Sequence, residues 1–172
     1  MTLSLRIFRA SGAYEITGIE PVKQRLMRSD GQLPKLEVGA GKAALTAVGL
    51  GQMVFVAKLA KLGINNTNLT IVGNAACWIA YWALKTPGTF PKFIPASEHE
   101  SIRRKLLSLK PEQEAKRFVL LPPDATWKTV IFTDDPAADL KKVEGSAITI
   151  DLRMLGEDLA GRAGALVEFS DS

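Results

Sequence analysis

One cysteine and one histidine in 172 residues leave little room for soft-metal or imidazole chemistry. A lone Cys77 excludes an internal disulfide and a cysteine-built zinc site. Within Ala75-Ala-Cys-Trp-Ile-Ala-Tyr-Trp-Ala-Leu84 it reads as a core thiol. The only histidine, His99, stands between Glu98 and Glu100 and reads as a solvated surface residue, so a histidine-dependent mechanism has no second imidazole to use. No Gly-x-Ser-x-Gly nucleophile elbow is present. Long hydrophobic runs are also missing. The stretch 43–62 is broken by Gln52 and runs into Lys58 and Lys61, and the next spans ten residues, both short of the ~20 that cross a bilayer. No membrane partner is expected. The first residues alternate, without the basic start and continuous apolar stretch of a signal peptide, so the expected compartment is the cytoplasm.

With 47% hydrophobic and 23% charged residues, the composition is that of an ordinary globular protein, and the length suits one domain over 1–172. Basic residues number 22 against 18 acidic, a net charge of +4. That balance allows contact with nucleic acid without making the chain polybasic. Alternation over 3–9 and 14–19, with Ser11-Gly12 between, predicts a hairpin. A third extended piece, 22–28, follows Pro21 and leads through the turn Ser29-Asp30-Gly31 into a strand at 34–40. The first forty residues therefore read as an antiparallel meander.

A long apolar helix over 43–62 comes next, with Gly49 and Gly51 allowing close backbone contact. A buried strand over 69–72 and a helix over 75–85 follow. Three prolines between Lys85 and Pro95 impose a loop. Ser97-Glu-His-Glu100 has the spacing of a capping box opening a helix, and Pro111 restarts a short helical piece. Strands near 118–121, 129–132, 147–150 and 165–169 alternate with helices over 136–143 and 153–162, giving an α/β fold class with a mixed sheet.

Glu37 lies mid-strand before an all-round apolar helix, where an isolated carboxylate is costly unless paired or bound to a cation. In a meander, Glu20 would approach Glu37, and two converging carboxylates suit a hydrated magnesium ion. A nearby lysine would then hold a phosphate or orient the attacking water.

The order of meander, Ser29-Asp-Gly31 turn, strand bearing Glu37, apolar helix bearing Gln52 and buried strand ending at Gly73 resembles the PD-(D/E)XK, restriction-endonuclease-like nuclease superfamily over residues 14–75. The resemblance implies magnesium-dependent hydrolysis of nucleic acid, with Glu20 and Glu37 as metal ligands, Lys42 as the catalytic amine and Gln52 in support. Gly39 occupies the position of the superfamily's lysine, which shifts that role to Lys42 or Lys35, Lys42 being favoured because Gly39-Ala-Gly41 can turn it back toward the site. Residues 97–172 would form an α/β extension. The alternative is a non-catalytic nucleic-acid-binding or assembly protein, with a homo-oligomer as one form.

Arg103, Arg104, Lys105 and Lys110, with Lys116 and Arg117, form a basic cluster that would track a phosphate backbone if it shared a side with Glu37. Gly39-Ala-Gly-Lys42 lacks the earlier glycine and the following hydroxyl of a phosphate loop. Asp134-Asp135 before Pro136 reads as a helix cap, and Trp127 as a residue free to stack on a base.

Overall fold

The computed structural model describes residues 2–33, 45–64, 68–123, 129–143 and 145–170. It is a mixed α/β structure in which helices dominate and the strands form two small antiparallel sheets. In chain order the elements are β1 (Thr2–Leu5), α1 (Ala10–Thr17), α2 (Pro21–Ser29), α3 (Ala47–Lys61), α4 (Leu69–Lys85), α5 (His99–Leu106), β2 (Phe118–Leu121), β3 (Ile131–Thr133), α6 (Pro136–Asp139), β4 (Ile148–Asp151), α7 (Leu152–Ala163) and β5 (Val167–Ser170). Single 3-10 turns precede α5 and follow α6.

The core is a layer of three helices, with α4 between α3 and α7. Leu50, Met53, Phe55, Ile79, Leu84, Leu152 and Leu159 fill it almost without exposure. Two glycines set how closely these helices approach. A Cβ on Gly51 would lie 2.9 Å from the Ala76 carbonyl oxygen, and one on Gly156 would lie 2.6 Å from that of Ile79. The close backbone contact expected of Gly51 is present, whereas Gly49 faces only the Leu45 side chain.

Around this layer, β2 is the centre of the sheet β3-β2-β4, and β1 pairs with β5, bringing the two ends of the described chain together. Beyond β1, Phe8 and Leu45 exchange two backbone hydrogen bonds of 2.7 and 3.0 Å.

The expected N-terminal meander is not the structure of the described residues. Residues 10–17 and 21–29 are helices. In the first, Ala13 and Ile16 are buried and Tyr14 is exposed, a three-residue spacing rather than the two-residue alternation of a strand. Pro21 occupies the first turn of α2, where its missing N–H costs nothing, so it opens a helix and not an extended segment. The strand expected over 34–40 lies outside the described residues.

A second correction concerns 69–72, which is the first turn of α4. The Asn68 side chain accepts from the N–H groups of Thr70 and Ile71 at 2.9 and 3.4 Å, capping the helix. Burial at Ile71, Val72, Ala75, Ala76, Ile79, Ala80, Ala83 and Leu84 keeps helical period across Gly73. The β-branched run therefore follows its cap and its buried stripe rather than its local strand preference.

Elsewhere the expected elements α3, α5, α7 and β2 to β5 are found within a few residues of their expected bounds. After Pro111 the chain is a loop instead of a helix, held by Arg104 Nη1, which donates to the carbonyls of Lys110, Pro111 and Gln113.

Candidate nucleic-acid interface

Gly18 ends α1 in the left-handed region, with φ of 71°, and its N–H closes on the Tyr14 carbonyl at 2.7 Å. A β-carbon is strained in that conformation, which makes glycine the natural terminator. Three residues, Gly18-Ile19-Glu20, then suffice to start α2. Two short helices joined by a three-residue turn containing glycine have the element order of a helix-turn-helix. Its inner side is Ala13, Ile16, Ile19, Gln24 and Met27, all buried.

Gln24 fixes the second helix on the first. It is 1% exposed, and its Nε2 donates to the carbonyls of Ile19 at 2.7 Å and Ala10 at 3.1 Å, joining α2 to both the turn and the beginning of α1. Helix α1 in turn packs on α3 and α7, where Arg162 Nη1 donates to the Ile16 carbonyl at 3.3 Å. The inner helix is thus anchored to the core, and α2 rides on it.

The opposite side of α2 carries Val22, Arg25, Leu26 and Ser29, spaced three and four residues apart and therefore on one face. All four are exposed, and Val22 and Leu26 keep 56% and 55% of their surface in solvent. Lys23 is exposed beside them, while Arg28 is half-buried, donates from Nη1 to the Gln24 carbonyl at 3.0 Å and has its pKa lowered by burial. No acidic residue occurs on α2. Residues 6–30, through the cap of α2, hold five arginines and lysines against Glu15, Glu20 and Asp30, a net +2. This face offers long-range attraction to an anion together with uncovered aliphatic contact surface.

Of the residues singled out from sequence, Glu37 and Lys42 lie outside the described residues, as do Lys35 and Trp127. Glu20 does not border a strand. It is the residue before α2, exposed, where a carboxylate is favoured by the helix dipole without any metal. Gln52 is half-buried on α3. Among the described residues no group of three or more His, Cys, Asp or Glu side chains could hold a metal ion.

The basic cluster of α5 divides. Arg103 is buried at 4% exposure and is not part of a solvent face. Its guanidinium pairs with Glu100, donates to the Leu84 carbonyl at 3.3 Å and lies 5.1 Å from the Tyr81 ring centre. Arg104 Nε donates to Glu100 at 2.8 Å, and Tyr81 Oη donates to both oxygens of that carboxylate at 3.1 Å. Lys105 and Lys110 are exposed.

Burial pushes the Glu100 pKa up, but hydrogen bonds from Arg104 and Tyr81 and the charges of Arg103 and Arg104 outweigh it, leaving the pKa below the ordinary value. Burial first, and Glu100 second, raise the pKa of Tyr81. The expected capping box is therefore replaced by a tie between α5 and α4. His99, expected in solvent, instead stacks on Phe90 with ring centres 4.4 Å apart, its Nε2 lying 3.1 Å from the Ile94 carbonyl. Cys77, expected in the core, is half-buried at its edge, and burial raises its pKa. Asp135 caps α6 through the Ala138 N–H at 3.0 Å.

No protein-family model matches the chain, and no curated protein is similar to it at a significant level. No helix among the described residues is long and apolar enough to cross a membrane.

Proposed function

We propose that this protein binds nucleic acid without cleaving it, and that α2 is the element that enters the groove of a duplex. The observation that carries this reading is the outward face of α2, where Val22 and Leu26 stay uncovered among Lys23 and Arg25 while Gln24 and Met27 hold the helix from behind. In a helix-turn-helix the second helix lies in the major groove and the first crosses the backbone. Cations at its sides contact phosphates, and its outward residues meet base edges, where aliphatic groups pack on thymine methyls and arginine reaches guanine.

Catalysis has less behind it. The restriction-endonuclease-like order over 14–75 rests on extended segments at 14–19, 22–28 and 69–72, of which residues 14–17, 22–28 and 69–72 are helical. A magnesium site on Glu20 and Glu37, with Lys42 as its amine, remains the other arm of the test.

Fluorescence anisotropy of a labelled mixed-sequence duplex should show binding that Lys23→Ala and Arg25→Ala each weaken several-fold. Plasmid incubated with the protein and magnesium should stay intact. Cleavage that needs magnesium and disappears in Glu37→Ala would replace this reading with hydrolysis.

A further inference from the structure

Away from α2, a groove of about 420 Å³ opens between the end of α4 and the first turns of α7, lined by Trp82, Lys85, Thr86, Pro87, Arg153 and Glu157. Its walls are held at fixed separation. A Cβ on Gly156 would come within 2.8 Å of Trp82 Cβ as well as of the α4 backbone, so the two helices cross in near backbone contact there. The indole is fixed at its far end too. Trp82 Nε1 donates to the Lys116 carbonyl at 3.1 Å, and the Tyr81 ring meets it edge-on at 5.5 Å.

Two cationic heads converge on this one immobilised ring. Lys85 Nζ lies 5.0 Å from its centre and the Arg153 guanidinium carbon 5.6 Å. Each lies within cation–π range of the ring, an attraction that helps to hold it at the groove. Neither is neutralised strongly. Lys85 has no ion pair with any described residue, and Arg153 spends only Nε on a described partner, Glu157 at 2.7 Å, in an exposed pair of the kind that contributes little. The terminal nitrogens of Arg153 and the Lys85 ammonium are left as donors at the mouth of a groove within the size range of small-molecule sites.

We infer that this groove is an oxyanion site, in which a phosphate group bridges Lys85 and Arg153 and displaces Glu157 from the guanidinium. The phosphate comes either from a small phosphomonoester or from a nucleic-acid backbone that also reaches α2. Guanidinium and ammonium groups from two helices supply charge-assisted hydrogen bonds to such a group, and Trp82 holds both cations at the groove.

Calorimetric titration with inorganic phosphate, with adenosine monophosphate and with a short duplex tests this. Saturable binding of phosphate and the monophosphate should fall at least about tenfold in Lys85→Ala and in Arg153→Met, and rise a few-fold in Glu157→Gln, which removes the competing carboxylate. If duplex affinity falls in Lys85→Ala and free phosphate competes with the duplex, the site is filled by the backbone; if only the monophosphate responds, it is filled by a small molecule. All three substitutions are at exposed positions, and the variants should keep the wild-type circular dichroism spectrum. Absence of saturable binding of any probe at about 10 mM by both wild type and Glu157→Gln, or binding indifferent to both Lys85→Ala and Arg153→Met, overturns the assignment.

Discussion

Gly156 and Gly18 are needed for different reasons, and alanine separates them. At Gly156 the obstacle is packing, because the new methyl would meet the Ile79 carbonyl oxygen at 2.6 Å and the Ala83 nitrogen at 2.8 Å, both backbone atoms that cannot swing away. Gly156→Ala should cost about 1–3 kcal/mol by overpacking, read as a lower midpoint in urea. At Gly18 there is open space, and the obstacle is the positive φ. Gly18→Ala should cost about 1 kcal/mol, and most of its effect should fall on the placement of α2. Gly161, also on α7, has nothing within 4 Å and serves as the control. There alanine should be neutral or stabilise by up to about 1 kcal/mol. At this scale the sequence was partly legible. Gly51 and the Asp135 cap could be read from their neighbours, but Gly156 could not, because its role depends on a helix seventy residues earlier in the chain.

Between elements, Gln24 and Glu100 are polar residues that join helices. Gln24→Ala removes two hydrogen bonds and opens space behind α2, at a cost of about 1–3 kcal/mol. A denaturant titration should show this loss, together with weaker duplex binding, since the face of α2 is positioned from behind. Glu100 titrates below its ordinary value in the folded protein, so its stabilisation of the α4–α5 contact is complete above about pH 4.3 and is lost as pH falls through the folded pKa. The difference in Tm between wild type and Glu100→Gln should therefore be nearly constant from pH 7 to about 5 and should shrink on further acidification. A difference that does not vary with pH would contradict the role given to the carboxylate. Short elements were the least legible from sequence. Helices of eight and nine residues show only two buried positions each, Ala13 and Ile16, then Gln24 and Met27, and a polar Gln24 on the inner side hides the period. Longer α3 and α7, and the strand Phe118–Leu121, carry enough turns or enough continuous burial to be read directly.

Over the whole molecule, three helices form the packed centre, and the exposed Lys23 and Arg25 of α2 have no ion pair with a described residue, whereas Arg103 and Arg104 of α5 are both paired with Glu100. That distribution explains why the basic run at 103–110 misled. Two of its arginines are occupied by Glu100, and one is buried, so spacing along the chain says little about which cations face solvent. The residues now assigned to the interface, Val22, Lys23, Arg25 and Leu26, had a readable signal in Gly18 and Pro21, which bracket a tight turn before a basic helix. If α2 is the contact, affinity for duplex must depend on salt through the counterions its lysine and arginines release. The most direct measurement is the slope of log affinity against log salt for a duplex, compared between wild type and the Lys23→Ala/Arg25→Ala double variant. The account predicts a steep wild-type slope that the double variant reduces by about one to two, with affinity reduced throughout. An identical slope and affinity in the two proteins would mean that α2 does not touch the nucleic acid.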